Sequence, residues 1–101
     1  MYNDPALAVK NADVVITDSW TSMGHESEAE ARKKAFEGFQ INNELLKNAN
    51  ENVMVLHCLP AHKDEEISTE VFEEHSAEIF DETENRLHAQ KAILVKLMKN
   101  K

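Results

Sequence analysis

The sequence predicts an α/β fold: a partial doubly wound (Rossmann-like) parallel sheet with flanking helices. Two observations carry this expectation. Helix-like and strand-like stretches alternate along the chain, as they do where parallel strands are joined by crossover helices. The strand-like stretches, around Val14-Val15-Ile16 and Val53-Met54-Val55-Leu56, are short unbroken apolar runs of the kind parallel sheets bury on both faces. A third observation bounds the size: 101 residues leave room for one domain, and no repeat, low-complexity tract or Gly/Ser linker divides them.

Taken in order, residues 4–10 read as a short helix with Asp4 as N-cap and Pro5 at the first helical position, where its missing N–H costs nothing. Residues 12–17 read as the first strand, closed by Asp18. Residues 19–27, with Gly24 and several hydroxyls, read as a loop. A helix over 28–34 would pair Glu28 with Arg32 and Glu30 with Lys34 at i,i+4. Gly38 is expected to interrupt it before a helix resumes over 39–47. After a polar turn at 48–52 comes the second strand, 53–57. Ser68 then caps a short helix, with Ile67 and Phe72 spaced as a hydrophobic staple.

Residues 78–80 read as a brief third strand, and 84–98 as a final helix with acids at its start, lysines at its end and an apolar stripe of Leu87, Leu94, Leu97 and Met98. Three short strands make a poor sheet, and the chain opens on a crossover helix with no strand before it. A segment of a larger domain is the expectation.

A formal charge of −8 argues against nucleic acid and anionic membranes as partners, since both need a basic face. No apolar run is long enough for a spanning helix or a signal peptide, and a single cysteine makes no internal disulfide. A soluble, cytoplasmic protein is expected.

The chemistry gathers where strands end, which is where open α/β sheets bind ligands. Asp18 follows the first strand and Ser22-Met23-Gly24 lies just beyond it. An aspartate there can hold an ammonium group or merely cap the loop. The second strand runs into His57-Cys58-Leu59-Pro60-Ala61-His62. A metal site, a thiolate nucleophile with a histidine base, a polar ligand pocket and plain packing all compete for this run. Adjacent strand residues point to opposite faces, so His57 and Cys58 are not expected to share an ion. A cis Leu59-Pro60 peptide, turning backbone groups toward a ligand, competes here with an ordinary tight turn. Arg86 falls near the start of the expected final helix, where the helix dipole opposes a cation unless an anionic or carbonyl ligand, or a nearby carboxylate, compensates.

Asp18 with Ser22-Met23-Gly24, the run from His57 to His62, and Glu84-Asn85-Arg86-Leu87-His88-Ala89-Gln90-Lys91 together resemble the ornithine carbamoyltransferase family. The resemblance runs from about Asp4 to Lys99 and covers only the carboxyl-terminal part of that family's protein. It implies transfer of the carbamoyl group of carbamoyl phosphate to the side-chain amine of ornithine, giving citrulline and phosphate, without a cofactor or a metal. It implies that Asp18, Ser22 and Met23 bind ornithine, with the Ser22-Met23-Gly24 loop as a lid. Cys58 and Leu59 would lie where the two substrates meet, and Arg86 would hold the carbamoyl oxygen. Asp18, Cys58 and Arg86 are the implied catalytic residues. Residues 1–101 would be the carboxyl-terminal segment of the ornithine-binding domain.

The family's Ser-Thr-Arg-Thr phosphate grip is absent, and with it the carbamoyl-phosphate domain. The isolated chain is therefore expected to be inactive and to need an amino-terminal domain as partner; the parent is implied to be a homotrimer or a multiple of trimers. An exposed stripe on the final helix would favour self-association or marginal stability. A non-catalytic amino-acid-binding or interaction module derived from such an enzyme is the alternative. Another acceptor is a further one, although aspartate carbamoyltransferases carry proline where Cys58 stands and putrescine-using relatives lack Ser-Met-Gly.

Overall fold

The computed structural model describes residues 1–99. Helix α1 (Pro5–Ala8) is capped by Asp4, whose carboxylate accepts the Ala6 N–H at 2.9 Å. It leads into strand β1 (Val14–Thr17). A single 3-10 turn (Glu26–Glu28) precedes α2 (Ala29–Ala35), and Gly38, at φ +89°, turns the chain after it. Helix α3 (Asn43–Leu46) and strand β2 (Met54–His57) follow. Helix α4 (Thr69–Glu74), capped by Ser68, then meets α5 (Ser76–Met98).

The sheet is parallel, as the alternation predicts, and pairs Val14 with Met54, Val15 with Val55, Ile16 with Leu56 and Thr17 with His57. Val15 and Val55, side by side on one face, join Val9, Ile41, Ile67, Val71, Phe72 and Ile79 in the core. The buried pair Ile67 and Phe72 flanks the Ser68 cap at the staple positions. Leu59-Pro60 is cis.

Four expectations fail. The strands are covered on one face only: Val14, Ile16 and Met54 are exposed on the other. The helix expected over 39–47 shrinks to α3, because Ile41 bridges instead to Ile67: its N–H donates to the Glu66 carbonyl and its own carbonyl accepts from Ser68. Lys33, not Lys34, lies nearest Glu30, at 3.9 Å, whereas the Glu28–Arg32 pair forms at 3.1 Å.

The largest difference concerns residues 78–80, which form no strand. They belong to α5, whose 23 residues contain neither glycine nor proline. Helical spacing buries Ile79 completely and turns Phe80 edge-on to Phe72, with ring centroids 6.2 Å apart. The work of a third strand passes to a side chain: the Val55 N–H, which points away from β1, donates to Glu78 Oε2 at 2.9 Å. The same carboxylate contacts His75 Nδ1 at 3.0 Å. Arg86 consequently sits in the middle of α5, where the amino-terminal dipole does not act. The expected stripe of Leu87, Leu94, Leu97 and Met98 is exposed, each residue by more than half.

These differences give a graded stability test. Ile79→Ala removes fully buried atoms and is expected to cost about 2–5 kcal/mol. Glu78→Ala orphans a buried N–H and is expected to cost about 1–3 kcal/mol. Leu97→Ala, on the bare stripe, is expected to change stability by less than about 0.5 kcal/mol. Urea unfolding read by circular dichroism ranks the three.

Candidate amine-binding site at the carboxyl edge of the sheet

Because the strands run parallel with Thr17 opposite His57, the next residue of each strand leaves the sheet at the same edge. These are Asp18 and Cys58, and the Cys58 thiol donates to Asp18 Oδ1 at 3.1 Å. The same oxygen accepts the Ser19 N–H at 2.7 Å. Both donors favour the ionised carboxylate, so the thiol first and the Ser19 amide second hold Asp18 below its ordinary pKa. The thiol responds in the opposite sense. Partial desolvation of the sulfur and then the facing Asp18 carboxylate push the Cys58 pKa above the usual thiol value, although the residue as a whole is exposed. Cys58 is therefore a protonated donor at neutral pH rather than a thiolate nucleophile.

The turn after β2 is held from inside. Leu59 adopts φ 54°, in the left-handed region, and its N–H donates to His57 Nδ1 at 2.8 Å. An acceptor Nδ1 places the ring proton on Nε2, which donates to Glu66 Oε1 at 2.7 Å. Oε1 also accepts the His62 N–H at 2.8 Å. His57 and Glu66 are fully buried. His57 thus holds the turn that presents Cys58 and Leu59, its own ring buried against Glu66.

The loop after Asp18 is tethered at both ends. Trp20 stacks on Phe36 with centroids 5.7 Å apart, and its carbonyl accepts from Arg32 at 3.3 Å. Gly24, at φ +89°, donates its N–H to Glu26 Oε1 at 3.0 Å. Ser22 and Met23 between these anchors line an open cavity of about 220 Å³ together with Ser19, Thr21, Pro60 and His62. Met23 is 85% exposed.

Of the six residues singled out in the sequence, Asp18 and Cys58 touch, Ser22 and Met23 line the adjoining cavity, and Leu59 follows Cys58 in the turn. Arg86 is not joined to them. It is exposed on α5 and, among the described residues, makes no ion pair or side-chain hydrogen bond. Glu82, one turn earlier on α5, is close enough to add to the upward push on the Cys58 thiol. The expected convergence of three strand ends is thus two strand ends and one helix. Glu66, Glu82 and Lys33, which also lines the cavity, escaped the sequence reading. A carboxylate next to the apolar Ile67 was the one available signal for Glu66.

No helix among the described residues is long and apolar enough to cross a membrane. Residues 1–97 match the family model described as aspartate/ornithine carbamoyltransferase, Asp/Orn binding domain. The ornithine carbamoyltransferase of Archaeoglobus fulgidus is 60% identical over 95 residues, 94% of this chain and 31% of that protein. That of Pyrococcus horikoshii is 51% identical over 98 residues. The crystal structure of the anabolic ornithine carbamoyltransferase from Campylobacter jejuni superposes with a TM-score of 0.91 at 47% identity, covering 97% of this chain and 32% of that one. The chain therefore spans about a third of the length of the relatives it matches. With the parallel sheet, its edge chemistry and these matches agreeing, the chain belongs to the aspartate/ornithine carbamoyltransferase family, in the part that forms the Asp/Orn binding domain.

Proposed function

We propose that this chain supplies the amino-acid side of a carbamoyltransferase acting on ornithine and carbamoyl phosphate, and that residues 1–101 are the carboxyl-terminal segment of its ornithine-binding domain. The observation that carries the reading is the Asp18–Cys58 contact at a shared strand edge, next to an open cavity that Ser22 and Met23 help to line. An ionised Asp18 attracts a cationic amino acid and repels an anionic one such as aspartate. The names of the relatives favour the same acceptor.

In this reading the ornithine amines meet Asp18 and the Cys58 sulfur, while Ser22, Met23 and the Leu59 backbone hold the rest of the molecule. The attacking amine must be neutral, so its ammonium proton passes to solvent first, and the Asp18 carboxylate orients the amine by accepting one of its N–H groups. Attack on the carbamoyl carbon forms the C–N bond, the C–O bond to phosphate breaks, and the proton that the attacking nitrogen sheds leaves with the departing phosphate. Arg86 meets the negative charge growing on the carbamoyl oxygen. Two substrates held together in a closed crevice supply much of the remaining rate. Carbamoyl phosphate itself needs an amino-terminal domain, and the working enzyme is a trimer or a multiple of trimers.

Calorimetric titration with L-ornithine and L-aspartate tests the acceptor: ornithine is expected to bind and aspartate is not. The chain alone is expected to make no citrulline, and a separately supplied amino-terminal domain is expected to restore it. Binding without restoration would point to a non-catalytic amino-acid-binding module, and preference for aspartate to a different acceptor. In the restored enzyme, Asp18→Asn is expected to lower kcat/KM for ornithine by about 10²-fold or more.

The thiol provides a pH test. A negative Asp18 opposes ionisation of Cys58, so removing that charge lowers the thiol pKa and raises the thiolate fraction at any given pH. Alkylation of Asp18→Asn by iodoacetamide is therefore expected to begin at lower pH than in the unaltered chain. An unchanged rate–pH profile would mean that Asp18 does not face the sulfur.

A further inference from the structure

Helix α5 packs along β2. Glu78 reaches the Val55 amide at 2.9 Å, and Ile79 beside it shares the core with Val55. Four residues make about one helical turn, a rise of about 6 Å, so Glu82 stands beyond Glu78 on the same face and Arg86 beyond Glu82. From Val55 to Cys58 the strand climbs about 10 Å, and the reach of a glutamate side chain covers the difference. The thiol registers its neighbour: the Glu82 charge adds to the desolvation and the Asp18 charge that keep the sulfur protonated. Two carboxylates, Asp18 from the end of β1 and Glu82 from α5, thus act on one sulfur.

Glu82 is not spent on the fold. Glu78, one turn earlier, is tied to a backbone amide and to His75, whereas Glu82 Oε2 is buried and, among the described residues, no donor meets it. Arg86, one turn later, does not supply one. A carboxylate oxygen left dry and unpaired is costly, and a cation relieves it. The residue as a whole is half-buried, so rotation of its side chain turns that oxygen to the open edge without repacking the core. We propose that Glu82 is a further acceptor-binding residue, which takes the side-chain ammonium of the incoming amino acid beside the Cys58 sulfur and so selects a cationic side chain.

This assignment rests on the ornithine reading and deepens it. An amino acid with the same carbon chain and no terminal amine, such as norvaline, leaves the Glu82 oxygen unpaired, and sites built around a buried polar group reject such analogues strongly. Carbamoylation removes the positive charge of the amine, so Glu82 also grips the product less tightly than the substrate.

Glu82→Gln keeps the shape and removes the charge. In calorimetry of the full chain, this change is expected to weaken L-ornithine binding by about tenfold or more and to leave L-norvaline binding unweakened. Glu82→Asp, which keeps the charge, is expected to recover part of the loss. Iodoacetamide alkylation of Cys58 is expected to begin at lower pH in Glu82→Gln, because losing a facing negative charge eases ionisation of the thiol. Glu84→Gln, which removes the same charge from an exposed position two residues on, is expected to change neither measurement. Unchanged ornithine affinity in Glu82→Gln, an equal loss for norvaline, an unshifted alkylation profile, or the same effects in Glu84→Gln would each overturn the proposal. If the unaltered chain binds neither amino acid, the ornithine reading falls and this assignment with it, whereas ornithine binding that Glu82→Gln leaves intact removes Glu82 alone.

Discussion

Parallel pairing of β1 with β2, in the register that sets Thr17 against His57, is the constraint on which the rest of the molecule depends. Side chains alternate along a strand, so a slip of β2 by one residue would turn Val55 out of the core and His57 away from Glu66. It would also part Asp18 from Cys58, whose 3.1 Å contact exists because each is the first residue beyond a paired strand end. Core packing and site geometry therefore rest on the same hydrogen-bond ladder, and neither can be altered without the other.

The polar groups behind the sheet show how a small layer closes its edge. The outward Val55 amide is met by Glu78 from α5. The turn after β2 is held by the chain of contacts from the Leu59 amide through the His57 ring to Glu66 and the His62 amide. Two carboxylates from later in the chain thus finish what neighbouring strands do in a wider sheet. One ring fixes its tautomer, its position and the path of the turn together. The left-handed Leu59 is tolerated inside this frame, its amide locked to a buried ring.

Local signals were readable wherever a single residue type decides local structure. Asp4 and Ser68 cap as their types predict, Gly38 turns the chain, and the two apolar runs pair as parallel strands. What could not be read were decisions made across the chain. Glu78-Ile79-Phe80 has strand-like composition, but a helical frame buries Ile79 and aims Glu78 at Val55 at once. Phe39 and Ile41 fit a helix pattern until the Ile67 segment offers Ile41 a bridge. In the site, Asp18 and Cys58 could be inferred because strand ends are sequence-local. Glu66 could not, since its meaning comes from the ring of a residue nine positions away. Arg86 was read into an amino-terminal turn and lies instead in the middle of a helix.

The separation of the paired strands has a consequence for how the site comes into being. Val15 and Val55 meet only after the intervening stretch, with its loop and two short helices, has been gathered in, so the ordering cost falls due before the ladder gives anything back. Asp18 and Cys58 share that delay, being forty positions apart in the chain. No local hairpin can preassemble them. Shielding of the Cys58 sulfur by Asp18 is thus a property of the completed sheet, and the lone cysteine serves as a built-in chemical gauge of whether the long-range topology has formed.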